Sequence, residues 1–498
     1  MKFLVATRSR RVALSFFAAA IAMFLNLFWM YHLDQIHPRF WSTEELMSRL
    51  LGMPALLMIA VLSLTTACSW SPLQGASGKS MTGQPDEPAR PFKAQVVGVQ
   101  WLNPLMRRDY TTEWQLLWVL GLAKPNKNDD ELKRDPKVFS TVQPISPIKI
   151  NWKRTVMYPD GTSAFPYYLE RYMEKILQPI GRRYAMHGGY FYTIQPRDRK
   201  RWRELHGIHI EFAIPETPVL PPELAAEIIR KTMNAEFEFY DAELSTGNIP
   251  ADVSITTGGA SAGFTSLSAA LDYLQANPEK SVWVMNWDSP QFPDYGLMTE
   301  NCTLLVLAGP HFDTQREPLA WIARPAVRQL ADGEVPEGMS RRGHYTWNAA
   351  IRSAADQAEV KPADIGYVIH DAGHGNDTSG KRIGTLGEAL TVTMPELDFV
   401  QQTFNTPKLL GDMRAGTAVT NLALAIDWSH QKGKPVLVAG TTEEDKATAV
   451  VVTPPSRARV FNPDKDWFRA RGEGNAYLPW WGLRRKVDWA TVWQGFSD

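Results

Sequence analysis

Residues 255–264 read Ile255-Thr256-Thr257-Gly258-Gly259-Ala260-Ser261-Ala262-Gly263-Phe264. β-Branched residues lead into two glycines. Small residues then lead into an apolar stretch in which Leu267, Ala270, Leu271 and Leu274 share one helical face. The pattern predicts a short strand over Val253 to Thr256, a tight turn, and a helix over Phe264 to Gln275. Gly259 to Gly263 also spell G-x-S-x-G, the pattern that holds a serine nucleophile on a strained strand-to-helix turn. Small residues crowd any such turn, so a second reading stands beside it: Gly258 and Gly259 permit the turn and Ser261 caps the helix. A serine hydrolase further needs an acid and a histidine later in the chain. Asp364 or Asp371 with His374, and Asp427 with His430, have that order. His430 falls late in a helix, where a cation suits the dipole, and reads as a surface group.

Working outward from this turn, strands and helices alternate. Ala94–Gln100, Ile208–Ile214, Val282–Met285 and the apolar run Cys302–Ala308 read as strands. Trp114, Leu117 and Trp118 recur at helical spacing before Gly121, and Pro221–Met233 reads as a helix. The pattern then repeats, with a helix over Thr346–Ala358, a strand over Ile365–His370, a mostly helical Asp412–His430 closed by Gly433, and paired strands at Val436–Gly440 and Ala447–Thr453. Such alternation predicts an α/β fold with a largely parallel sheet covered on both faces. Its two successive halves are 94–330 and 331–455.

The chain has 498 residues and a formal net charge of zero, which argues against a nucleic-acid partner. Its two cysteines, Cys68 and Cys302, make no disulfide framework. His187 and the pair His206 and His209 lack carboxylates or cysteines at ligand spacing, so neither a metal nor another cofactor is expected. Tryptophan is abundant, with 18 residues, and concentrates in the tail 456–498. There Trp480 and Trp481 precede Arg484 and Arg485, a composition that suits the centre of a protein interface. The same tail has a packing reading, in which it wraps over the body and buries its rings there.

The N-terminus differs in kind. Lys2, Arg8, Arg10 and Arg11 precede an apolar run over 12–31, and a second apolar run covers 50–67. Each is about long enough to span a bilayer, and the basic cluster orients a hairpin that returns the chain to the cytoplasm. A second reading takes Thr65-Thr66-Ala67-Cys68 as a lipoprotein cleavage site; a third leaves the protein cytoplasmic. The segment 69–93, rich in Ser, Gly and Pro, reads as a flexible linker.

The second half resembles the ketosynthase branch of the thiolase-like superfamily. The residues that carry the resemblance are Asn348–Ala358, Lys361-Pro362-Ala363-Asp364-Ile365-Gly366-Tyr367-Val368, the loop Ala372–Thr378, Thr385-Leu386-Gly387-Glu388-Ala389, and Lys408–Ala418. The turn at Ile255–Ser261 resembles that family's cysteine elbow. The resemblance implies two α/β halves with mixed sheets. It also implies a condensing site in which a thiolate takes an acyl group and two histidines stabilise charge on the thioester oxygen. Gly259 stands at the cysteine position, His374 at the first histidine and Asp412 at the second, while Gly440–Lys446 replaces the closing loop. A glycine has no nucleophile and an aspartate is an anion where a donor is required. The resemblance therefore implies a catalytically emptied fold. The rival is an acyl-handling enzyme, either a serine esterase through Ser261 or an atypical condensing enzyme.

In the first half, Val99-Gln100-Trp101-Leu102-Asn103-Pro104-Leu105, Arg107-Arg108-Asp109-Tyr110 and Thr112–Trp118 resemble the lipase-effector adaptor family of type VI secretion. That resemblance implies a non-catalytic protein that binds a lipase effector and delivers it to the secretion spike protein. A homodimer is a further expectation by analogy with thiolase-like folds.

Overall fold

A computed structural model describes residues 91–102, 112–123, 165–177, 208–236, 251–289, 301–314, 317–330 and 342–457. The chain divides into two units after Ala89, and every described residue belongs to the second. The expected hairpin 1–68, nearly all of the linker 69–93, and the tail with Trp480, Trp481, Arg484 and Arg485 lie outside the described residues. Among the described residues no helix is long and apolar enough to cross a membrane.

The first half contributes β1 (Lys93–Leu102), α1 (Thr112–Val119), α2 (Phe165–Leu177), β2 (His209–Ile214), α3 (Pro222–Glu236), β3 (Asp252–Thr257), α4 (Ala262–Ala276), β4 (Ser281–Asp288) and β5 (Asn301–Ala308). The second contributes β6 (Ala320–Ala323), β7 (Ala326–Gln329), α5 (Arg342–Gln357), β8 (Tyr367–His370), α6 (Asp377–Thr393), β9 (Thr403–Asn405), α7 (Thr406–Leu410), α8 (Thr417–Lys432), β10 (Val436–Gly440) and β11 (Lys446–Thr453).

These strands form one mixed sheet in the order β3-β2-β4-β5-β1-β6-β11-β10-β8-β9, with β7 pairing on β11. Read inward from each end, the two halves have one topology. In the first, β2 pairs parallel with β3 and β4, and β5 runs antiparallel to β4 and β1. In the second, β8 pairs parallel with β9 and β10, and β11 runs antiparallel to β10, β6 and β7. The antiparallel pair β1 and β6 joins them. The two α/β halves with mixed sheets expected from the sequence are therefore visible in the strand order itself.

Alternation along the central strands explains the layers. Val436 and Val438 of β10, with Val450 and Val452 of β11, enter the large core shared with α4 and α8. Leu437 and Ala439, with Ala447, Ala449 and Val451, face a second core made by Trp347, Ala350, Ile351 and Ala354 of α5 and Leu386, Ala389 and Leu390 of α6. Successive side chains of a strand point to opposite faces, so both sides of this sheet are covered. Helix α8 is buried on every side from Thr417 to Gln431, which explains its lack of a polar stripe. It ends at Gly433, whose φ of 66° supplies the left-handed residue that closes a helix.

The structure corrects three expectations here. The sheet is not largely parallel: β4, β5, β1, β6, β11 and β10 are joined antiparallel, and only the pairs made by β2 and β8 are parallel. Asp412–Gly416 is not helical. Gly411 has a φ of 78°, Asp412 accepts a hydrogen bond from the Arg414 N–H at 2.9 Å, and only a three-residue 3-10 turn precedes α8. That local side-chain bond competes with helix and produces a turn. His430 is not a surface cation: it is buried, and its Nδ1 donates to the Leu319 carbonyl at 2.8 Å. The helix dipole argument placed His430 correctly along α8 but could not see that α8 is interior.

Candidate functional site

The predicted strand, turn and helix form at the opening stretch: β3 ends at Thr257 and α4 begins at Ala262. Ser261 holds the N-cap position, yet makes no capping bond. Its φ and ψ of −91° and −7° are helical rather than the extended values a capping side chain needs. The hydroxyl instead donates to Glu443 Oε1 at 2.5 Å, and the Lys446 ammonium lies 2.6 Å from Glu443 Oε2 as an ion pair. The cap expected of Ser261 is thus replaced by a latch between the first half's elbow and the second half's β10–β11 loop.

The hydrogen bond that Ser261 makes is to a carboxylate and not to an imidazole. The group hydrogen-bonded to Ser261 is a carboxylate held by a lysine, which is a poor match for a hydroxyl proton. His374 lies exposed on the loop before α6, Asp364 is exposed, and His430 is committed to Leu319.

Gly259 is the more informative position. A Cβ built there meets nothing within 4 Å, and its φ lies outside the left-handed region. Neither backbone nor packing requires glycine at Gly259.

Asp412, at the position implied for the second histidine, is exposed and caps the turn at Arg414. The buried acid at this second elbow is Asp288, the last residue of β4. Its Oδ1 accepts from Ser289 N at 2.7 Å and its Oδ2 from Ala415 N at 3.0 Å. Burial pushes its carboxyl up to about 8, against the two backbone donors. The first elbow follows β3 and the second follows β9 and α7, and each is held by a carboxylate from the other half: Glu443, just past the end of β10, for the first, and Asp288, at the end of β4, for the second. Asn301 reinforces the second, donating to Gly416 O and Thr420 Oγ1 while accepting from Trp101 Nε1.

In addition to Asp427, Glu211 and Glu113, Asp371 is a further buried acid. Its Oδ1 accepts from Thr441 N at 2.6 Å and Thr441 Oγ1 at 2.8 Å, and burial raises its carboxyl above the usual range. Next to it, burial lowers His370 to about 4, so this imidazole is neutral at pH 7. His209 is structural in character, with Nδ1 2.7 Å from Asp252 and Nε2 2.8 Å from Glu211. Sequence reasoning missed Asp288; its signal was an acid ending the otherwise apolar strand Ser281–Asp288.

Beyond the Ser261 latch lies a cavity of about 350 Å³ between α5, α6 and the β10–β11 loop, bordered by Trp347, Arg382, Thr441 and Glu443. Among the described residues no group of acidic, histidine and cysteine side chains is arranged to hold a metal ion.

Residues 319–454, just over a quarter of the chain, match the family model described as the type VI lipase adapter protein Tla3, C-terminal. The match supports the resemblance to the lipase-adaptor family read from the sequence. No curated protein matches the chain. Similar solved structures include the Streptomyces albus JA3453 oxazolomycin ketosynthase domain OzmH KS8, at 11% identity and a TM-score of 0.47, covering 77% of this chain and 100% of that one. The ishigamide ketosynthase/chain length factor aligns at 13% identity and a TM-score of 0.43, covering 72% and 99%. A ketosynthase from module 6 of the Bacillus subtilis 168 bacillaene synthase aligns at 13% identity and 0.45, covering 72% and 70%.

Proposed function

We propose that this chain is a non-catalytic adaptor that binds a lipase effector of type VI secretion and delivers it to the secretion spike protein. In this reading residues 12–31 and 50–67 anchor it to the inner membrane, with the body in the cytoplasm, and two copies pair as a homodimer. The observation that carries the non-catalytic part is Gly259: the elbow has room for a side chain, yet the residue there carries no nucleophile. The latch supports it further, because the nearby Ser261 hydroxyl is bound to Glu443 rather than to an imidazole.

Partner binding is assigned to Trp480, Trp481, Arg484 and Arg485, whose aromatic and guanidinium groups are the types that dominate interface energy. The test titrates the full-length protein with lipase effectors from its own cell's secretion system. Trp480→Ala with Trp481→Ala is expected to weaken binding at least about tenfold, an effect of about 1.4 kcal/mol or more, while leaving the melting temperature in place. Unchanged affinity would remove the tail from the interface; no binding by the parent protein would remove the adaptor reading.

The enzymatic rival makes a separate prediction. A fluorophosphonate probe is expected to leave Ser261 unlabelled in the intact protein. Stoichiometric labelling that disappears in Ser261→Ala would establish a serine nucleophile and reject the emptied-fold reading.

A further inference from the structure

We infer that the cavity between α5 and α6 is a binding site for a small monoanionic carboxylate with an apolar body. At about 350 Å³ it falls at the small end of ligand pockets. One wall is apolar, from Leu330, Trp347 and Ala447. The lining from α6 carries Lys381 and Arg382 with the hydroxyl residues Thr378 and Thr385.

Arg382 supplies the directional element. Its Nη2 donates to the Thr442 carbonyl at 3.0 Å, which fixes the guanidinium. Its Nε–H is buried and has no acceptor among the described residues. The guanidinium so held places its positive charge on the cavity lining, where an oxygen anion is favoured. The first turns of both helices also border the space, through Gly343 and Thr346 of α5 and Thr378 and Lys381 of α6. Helix N-termini favour negative charge, and here two of them add to the two cations.

The acids on the rim set the ligand's charge. Glu443 is already engaged by Ser261 and Lys446, which leaves Glu444 as the other acid on the lining. A single negative charge gains from Arg382 and Lys381. A dianionic or polyphosphate group would meet Glu444 without further cations to offset it. The apolar wall selects for a hydrocarbon or aromatic body attached to that carboxylate. The site stands apart from the adaptor reading and holds whether or not an effector binds.

The test uses calorimetric titration of the full-length protein with octanoate, octan-1-ol and octyl phosphate. Octanoate is expected to saturate one site per chain, with the alcohol at least about tenfold weaker, a difference of about 1.4 kcal/mol. Arg382→Gln is expected to erase the preference for the acid. Thr378→Trp, at an exposed rim position, is expected to block both ligands without disturbing the core. Equal binding of acid and alcohol, no saturable octanoate binding, or octanoate binding unchanged in both variants would overturn the assignment. Tighter binding of octyl phosphate than of octanoate would overturn the monoanion.

Discussion

Gly263→Ala is expected to destabilise the fold by about 1–3 kcal/mol, the range for overpacking a close contact, and Gly263→Leu by more. Gly263 lies in the first turn of α4, where that helix meets α8. A Cβ there would stand 2.9 Å from Ala418 Cβ, 2.9 Å from Val419 Cγ2 and 3.3 Å from Val419 N. The first two contacts are shorter than packed carbons tolerate, and the third is with backbone. Relief therefore requires α8 to move, yet α8 is buried along almost its whole length and is held by Thr420, Asn301 and Thr303. Helix propensity alone predicts the opposite sign, because alanine replacing glycine within a helix gains about 1 kcal/mol. The two effects are separable by the control Gly259→Ala. That position has open space, so its stability should move by no more than about 0.5 kcal/mol. Urea unfolding followed by tryptophan fluorescence gives both numbers. A stabilised Gly263→Ala protein would mean that α4 and α8 do not approach as closely as described.

That contact also shows what the opening stretch specifies. The G-x-S-x-G spacing was read for its serine, but its last glycine is the one that packing requires. Periodicity located most strands and helices because each element follows its own apolar pattern. It did not place β6, β7 and β9, which have only four, four and three residues and so carry little periodic signal. The start of α6 did have a local signal, since Asn376 caps it by accepting from Ser379 N at 2.8 Å. The candidate site was less legible. His374 and Asp412 are exposed in the fold, while the acids that bond across the two halves, Asp288 and Glu443, lie far in sequence from the elbows they hold. No local pattern pairs Ser261 with Glu443 or Asp288 with Ala415. Such pairings follow from the repeated topology, which brings the first elbow against the end of β10 and the second against the end of β4.

Asp288 makes the second large prediction, one of sign as well as size. Its carboxyl is fully buried and pushed up to about 8 by desolvation, ahead of the hydrogen bonds from Ala415 and Ser289 that oppose the shift. Arg414 lowers it and Asp412 raises it, both from the turn before α8. A folded value above the unfolded one means that the native state keeps a proton the unfolded chain has released. The associated stability is complete below the ordinary carboxylate range and is lost as the pH rises toward about 8. Within that window the loss approaches about 1.4 kcal/mol per pH unit. Asp288→Asn removes the titration and sets an amide N–H₂ against one of the two backbone donors, at a cost of about 1–3 kcal/mol. The variant should therefore be the less stable protein at pH 5. The gap should close and then reverse before the pH reaches about 8, because the unfolded parent ionises over that window while its native state keeps the proton, and the accumulated loss exceeds the cost of the substitution. Urea midpoints for the pair at pH 5, 7 and 9 measure the difference, in which the other titrating groups cancel. Parallel curves would show that the Ala415 and Ser289 donors outweigh desolvation, so that Asp288 holds the second elbow as an ionised carboxylate throughout.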